Sequence, residues 1–312
     1  MLKVVLAKSY NAATEVANSG DRWVAIETEY GGSTLGTEHP NVIKACNHHG
    51  DLQTNDAPAI QCIGTDRFDN FIVSHIDLDV LFGILWSAGW LKKTDISLKL
   101  SELVAEADIN GFHTILDSLE KTPEHIVERY YAIGYLVNSW MFNDDGKDIK
   151  DLSKETHKLL LRIKDIIING ASKEQVELYE NWLLEQKKVV KKHLIGVYNL
   201  CNNNHMFVFR ARFSLATAYD INNLHASIII QYNEQSKSIT IGCYDKKIAQ
   251  DYFGVHGVIT PLRKFFGDGA GGKVTIGGTP REAAIQPEML DAFIQFIFRE
   301  YLNIPEVKEI QI

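Results

Sequence analysis

The ten residues Asn70-Phe71-Ile72-Val73-Ser74-His75-Ile76-Asp77-Leu78-Asp79 decide how this chain is read. Phe71 to Ser74 is a short, apolar, partly β-branched run of the kind that forms a buried strand. It leads directly into one imidazole and two carboxylates at alternate positions, and from Val80 onward the pattern turns helical. Alternate side chains of an extended segment share a face, so His75, Asp77 and Asp79 are expected to converge at the strand's carboxyl end. Open α/β sheets place their ligands there. An imidazole with two carboxylates suits Mn²⁺ or a related divalent ion, and these residue types exclude an all-cysteine structural zinc site. The competing reading is a salt-bridged loop in which Asp79 caps the next helix and His75 makes a local hydrogen bond.

Working outward, further short apolar runs occur at Lys3 to Leu6, Trp23 to Ile26, Val42 to Cys46 and Ala59 to Ile63, each bounded by turn residues and each read as a buried strand. From Val80 to about residue 194 the apolar positions fall on one helical face, as in Ile126, Tyr130, Ile133, Val137 and Met141. Ser172 to His193 reads as a long charged helix, its terminal lysines suited to the helix dipole. Strands return at Met206 to Arg210, Ser227 to Tyr232, Ser238 to Cys243 and Lys273 to Ile276, followed by an amphipathic helix from about Pro287 to Tyr301. The expected architecture is therefore α/β. An N-terminal domain over 1–170, with a largely parallel sheet and helical additions, precedes a connecting helix over 171–195 and a smaller C-terminal α/β domain over 196–312.

Composition bounds the function. At 312 residues, with 45% hydrophobic and 23% charged residues, the chain has the make-up of a globular protein long enough for two cores. A formal charge of -8 argues against a broad duplex nucleic-acid surface. The four cysteines, Cys46, Cys62, Cys201 and Cys243, form no C-x-x-C pair, so they are expected to be inert buried thiols in a reducing compartment. Neither a signal-peptide core nor a membrane-length apolar stretch is present, so the expected location is the cytoplasm. The oligomeric state is left open, a homodimer being one option.

Two more segments carry chemistry. Val42 to Cys46 runs into Asn47-His48-His49-Gly50-Asp51, where adjacent histidines point in opposite directions and one of them touches a given ion. Ala107-Asp108-Ile109-Asn110-Gly111-Phe112-His113 marks a turn between helical runs, with Asp108 either a cap or a ligand and His113 more simply structural. Glu27 and Glu29 follow the Trp23 to Ile26 strand, with Glu38 and His39 soon after; a place on the same sheet edge as a general base or a group supporting a ligand is one reading, and a solvated loop is the expected one.

Together the His75-x-Asp77-x-Asp79 segment, Asn47-His48-His49 and Ala107 to Phe112 resemble the motifs of the DHH phosphoesterase family. Asn47 stands where that family has an aspartate, and the first two segments occur in reversed order. The resemblance implies His75, Asp77, Asp79, Asp108 and one of His48 or His49 as ligands of one or two divalent ions, commonly Mn²⁺. It also implies that His48 or His49 stabilises charge on a phosphoryl group.

Near the C-terminus, Gly254-Val255-His256-Gly257, Phe266 to Lys273 and Gly277-Gly278-Thr279-Pro280-Arg281 resemble the glycine-rich substrate-binding element that accompanies DHH domains. That resemblance implies His256, Arg263, Gly271, Gly272, Lys273 and Arg281 as substrate-binding residues. A plain surface turn is the alternative. The expected activity is metal-dependent hydrolysis of a small phosphorylated substrate, of nucleotide or short-oligonucleotide class, by a metal-activated water. The alternatives are a non-catalytic binding protein on the same fold and a metal hydrolase of amide or ester bonds. A Ser-His-Asp hydrolase is disfavoured by the lack of a G-x-S-x-G elbow.

Overall fold

The computed structural model describes residues 2–30, 32–48, 56–64, 67–110, 115–140, 146–200, 204–210, 218–221, 223–280 and 283–302. Two compact units emerge, one built from Met1–Ile109 with Ile115–Asn181, the other from Trp182–Ile312.

The first unit contains β1 (Lys3–Ala7), α1 (Tyr10–Ala17), β2 (Trp23–Ile26), β3 (Glu29–Tyr30), β4 (Ser33–Thr34), β5 (Val42–Cys46), α2 (Pro58–Gln61), β6 (Asn70–Val73) and α3 (Leu78–Ser87). It continues with α4 (Asp95–Asn110), α5 (Leu116–Glu120), α6 (Glu124–Asn138), β7 (Ile149–Asp151) and α7 (Ser153–Asn169). The next helix, α8 (Lys173–Lys192), begins here. The main sheet has the order β5-β2-β6-β1-β7, with the first four strands parallel and β7 antiparallel to β1.

A parallel sheet covered on both faces needs apolar side chains at consecutive positions. Trp23, Val24, Ala25 and Ile26 are accordingly all buried, as are Phe71, Ile72 and Val73. Val5, Ala7, Trp23, Ala25 and Ile72 pack against Ala12, Ala13, Val16 and Ala17 of α1. On the other side, α3 is buried from Asp79 to Ser87. Its Gly83 lets Pro58 and Ile26 approach to where a side chain would otherwise sit, 3.2 and 3.4 Å from a Cβ. Each fully buried side chain such as Phe71 or Ile72 contributes about 1.5–3 kcal/mol.

Register fixes what happens at the carboxyl edge. Ile26 lies opposite both Cys46 of β5 and Val73 of β6. Glu27, Asn47 and Ser74, the next residue of each strand, therefore emerge side by side.

The second unit contains β8 (Leu194–Asn199), β9 (His205–Arg210), β10 (Asp220–Ile221), β11 (Leu224–Asn233), β12 (Ser238–Cys243), α9 (Lys246–Phe253), α10 (Ile259–Phe266), β13 (Gly271–Gly272), β14 (Ile276–Gly278) and α11 (Glu288–Ile297), which runs into a π-helical turn at Phe298–Leu302. Its mixed sheet has the order β13-β14-β12-β11-β9-β8, with β10 paired to β11. Two-residue periodicity splits the central strands between two cores. Met206, Val208, Ile228 and Ile230 pack with Leu262, Leu290 and Phe293, whereas Phe207, Phe209 and Ile229 pack with Val190 and Val197.

Several expectations need correction. Ala59 to Ile63 is not a strand: Pro58 at the first helical position starts the short helix α2, and a short apolar run carries no periodicity to tell the two apart. Lys273 to Thr275 forms the turn of a hairpin between β13 and β14, with only Ile276 of the expected strand in β14, and the Lys273 N–H donating to the Ile276 carbonyl at 2.7 Å closes it. The helix α1, capped by the Ser9 side chain, and the polar edge strand β7 were not expected. Among the described residues, no helix is long and apolar enough to cross a membrane.

Candidate metal centre

The site grows from three chain crossings at the carboxyl edge of the first sheet. Glu27 leaves β2 with φ +55, a left-handed conformation that a residue bearing a Cβ adopts at a cost of about 1–3 kcal/mol. Its backbone is held on both sides, the N–H donating to the Cys46 carbonyl at 3.0 Å and the carbonyl accepting from the Ser74 hydroxyl. The Glu27 side chain is 2% exposed. Asn47 and His48 leave β5, and both are buried. The Asn47 Oδ1 accepts from the Thr28 N–H at 2.7 Å, tying the two crossings together.

The third crossing follows β6. Backbone at Asp77 is extended, and its Oδ1 accepts from the Val80 N–H at 2.9 Å, so Asp77 is the N-cap of α3. The helix starts at Leu78, which places Asp79 in its first turn. The expected alternation over residues 75 to 79 is thereby corrected, because a helical turn replaces the extended segment, and Asp77 takes the capping role considered for Asp79. Asp79 is 2% exposed; its Oδ1 accepts from the Ala59 N–H of α2 at 2.8 Å, and its buried Oδ2 meets no donor among the described residues.

Glu27, His48 and Asp79 each offer one donor atom, and these atoms lie within 4.8 Å of one another. The His48 Nε2 is 2.9 Å from Asp108 Oδ2 and 3.9 Å from Glu27 Oε1. Apart from these, His75 and Asp77 pair with each other, Nε2 to Oδ2 at 3.0 Å, and the Ser74 hydroxyl lies 2.7 Å from His75 Nδ1. Both of these side chains are partly exposed.

Charge is crowded here. Burial, then the negative charges of Asp77, Asp108 and Glu27, push the Asp79 carboxyl well above its ordinary range, the Ala59 N–H opposing them. Burial also acts to raise Asp77, but the charge and hydrogen bond of His75 with the Val80 N–H outweigh it, and its carboxyl is held below the usual value. Buried carboxylates this close need a proton or a cation to offset their repulsion. Two carboxylates and an imidazole, with one carboxylate oxygen that meets no donor among the described residues, fit a divalent ion whose bonds to oxygen and nitrogen are about 2.0–2.2 Å.

Of the residues singled out in the sequence, the structure brings together Asp79 and His48, sets Asp108 against His48, and pairs His75 with Asp77 outside the three-donor cluster. His49 lies outside the described residues. Glu27, expected in a solvated loop, is instead a buried member of the cluster. A carboxylate immediately after four consecutive buried apolar residues was the signal that pointed to it.

The glycine-rich residues belong to the second unit. His256 is exposed in the turn before α10, and that turn packs on the hairpin through the Val258 N–H to the Val274 carbonyl, 3.0 Å. Arg263 Nε donates to the Ala270 carbonyl at 3.2 Å. Gly271 and Gly272 pair with Gly278 and Gly277. A Cβ on Gly272 would sit 2.3 Å from the Ile276 carbonyl oxygen, and one on Gly277 would sit 2.6 Å from Leu262 Cδ1. The hairpin itself therefore requires glycine at these positions. Arg281 lies outside the described residues.

No family model and no curated protein matches the chain. Over most of its length it is similar to two solved structures at low identity. One is described as the DHH domain of a member of the s1p family of ribosomal proteins: 13% identity, TM-score 0.45, with 93% of this chain and 66% of that chain covered. This chain thus spans about two thirds of that protein. The other is a pGpG-specific phosphodiesterase from Vibrio cholerae: 12% identity, TM-score 0.40, with 89% of this chain and 98% of that chain covered.

Proposed function

We propose that the chain is a divalent-metal-dependent hydrolase of phosphoester bonds, acting on a small phosphorylated substrate of nucleotide or short-oligonucleotide class. The observation that carries this reading is the convergence of Glu27, His48 and Asp79 donors in a buried setting. Glu27, His48 and Asp79 would hold a divalent ion, which would supply a Lewis acid and lower the pKa of a bound water.

The chain's own groups prepare that chemistry. Ala59 fixes one Asp79 oxygen and so aims the other. Asp108 and Glu27 both face Nε2 of His48, so that this nitrogen points into the carboxylate cluster. His75, set between Ser74 and Asp77 and reachable by solvent, is placed to exchange protons with water. Because the edge is rich in carboxylates, an anionic phosphoester is repelled until a cation is present, so turnover depends strictly on metal. The choice of a phosphoester over an acyl substrate rests on the resemblance of the Asn47, His75 and Ala107 segments to the DHH family.

A second reading, binding without catalysis, is favoured by Asn47. It is an amide where the resembled motif has a carboxylate, and its oxygen is already used by Thr28. The test is hydrolysis of a phosphodiester panel that includes dinucleotides, using metal-stripped protein with and without Mn²⁺, alongside Asp79→Ala. Mn²⁺-dependent turnover abolished in Asp79→Ala is expected, with Mn²⁺ affinity lowered more than about 100-fold, the upper end of what losing a supporting residue costs. Bound Mn²⁺ without turnover would select the binding reading, and no Mn²⁺ binding would sink the site.

A further inference from the structure

Cys46 and Cys62 are 16 residues apart in sequence, yet their sulfurs share a hydrogen bond at 3.1 Å, and both side chains are fully buried. That separation is about 1 Å longer than a disulfide of roughly 2.05 Å. A second observation concerns Lys44, which shares a face of β5 with Cys46. Its ammonium nitrogen is buried without a described oxygen acceptor and acts on the sulfurs of both Cys46 and Cys62. A buried cation without an oxygen acceptor needs a neighbouring negative charge, and a thiolate supplies one.

The shared hydrogen bond draws the Cys62 thiol down as it pushes Cys46 up, and the charge of Lys44 and the Ser87 hydroxyl lower Cys62 further against burial. At Cys243 burial and the charge of Asp245 both push the thiol up, as befits an inert core cysteine.

We propose that Cys46 and Cys62 form a reversible intramolecular disulfide when the protein meets a peroxide. The Cys62 thiolate attacks one peroxide oxygen and the O–O bond breaks, leaving Cys62 as a sulfenic acid while the departing oxygen is protonated, to water in the case of hydrogen peroxide. The Cys46 sulfur then attacks the sulfenyl sulfur. The S–S bond forms as the S–O bond breaks, and the leaving hydroxide takes the Cys46 proton as a second water. Two thiols are oxidised by two electrons and one hydrogen peroxide is reduced to two waters.

The bond joins two supports of the carboxyl edge. Cys46 ends the strand that carries His48, and Cys62 closes the helix whose Ala59 holds Asp79. The pairing itself does not depend on the proposed hydrolase activity.

The test treats the full chain with hydrogen peroxide, and in parallel with the dithiol oxidant diamide, then counts thiols under denaturing conditions and maps peptides by mass. Wild type should lose two of its four thiols, show a Cys46–Cys62 crosslinked peptide lighter by two hydrogens, and recover all four thiols with dithiothreitol. The double variant Cys46→Ala/Cys62→Ala should keep its two remaining thiols. If that variant fails to fold, the wild-type peptide map decides alone. Four intact thiols under both oxidants, oxidation of single cysteines to sulfinic acid, or a crosslink that involves Cys201 or Cys243 would overturn the proposal.

Discussion

The carboxyl edge of the first sheet and the glycine hairpin of the second unit both look like binding elements in sequence, but they spend their special residues differently. In the hairpin, Gly272 and Gly277 satisfy the hairpin's own closure: the room that a Cβ would need is already taken by the Ile276 carbonyl and by Leu262. At the edge, Glu27 holds a costly backbone conformation, Asp79 keeps a buried oxygen that no described donor reaches, and two carboxylates stand against one imidazole. Residues that the local geometry consumes argue for structure, and residues that strain it argue for function.

The largest effect that separates the two regions is expected at the hairpin. Gly272 has φ +146, and a Cβ would meet the Ile276 oxygen at 2.3 Å and Gly277 Cα at 2.5 Å, so Gly272→Ala should cost about 2–4 kcal/mol in urea unfolding. Mn²⁺ affinity should stay as in wild type. A Gly272→Ala protein of normal stability that binds metal or substrate poorly would invert the comparison and return the hairpin to the site.

Glu27→Gly works in the other direction. It relieves the φ +55 strain and removes a buried carboxylate, so the metal-free protein should gain about 1 kcal/mol while its Mn²⁺ binding collapses. Lost stability in that variant would mean that Glu27 serves the fold.

The smallest effect is in pH dependence without metal. Asp79, raised in the folded state, contributes stability that is complete below the unfolded value of about 3.9 and is lost as pH rises through its folded pKa. Asp77, lowered, contributes stability that is present above about 3.9 and is lost as pH falls through its folded pKa. Their combined contribution peaks near pH 4. Asp79→Asn should flatten the decline on the alkaline side, and Mn²⁺ should do the same in wild type. An unchanged slope in both would remove Asp79 from the charge cluster.

The strands β1, β2, β5 and β6 were legible because a doubly covered parallel sheet writes itself as contiguous apolar runs. Helix α1 was not, since Ala12, Ala13 and Ala17 are too small to mark a hydrophobic face, and β7 was not because Ile149-Lys150-Asp151 is a polar edge. His48, Asp79 and Asp108 could be picked from residue type and position after apolar runs. Glu27 was legible only as a loop residue or a supporting group on the edge, because its place among the donors depends on register: the alignment of Ile26 with Cys46 and Val73 opens the residue after β2 beside His48. The Cys46–Cys62 proximity escaped for the same reason, arising from the packing of α2 and not from any spacing in the chain.

The place of β1 in the sheet bears on how the chain is made. It precedes both of its partners in the chain, Asn70–Val73 on one edge and Ile149–Asp151 on the other. During synthesis both of its edges therefore stay open, one until residue 73 has emerged and the other until residue 151. An apolar strand with bare edges is a template for wrong pairing. The nascent segment Lys3–Ala7 is thus where a holding chaperone would matter most, and where slowed elongation before residue 151 would be felt as aggregation.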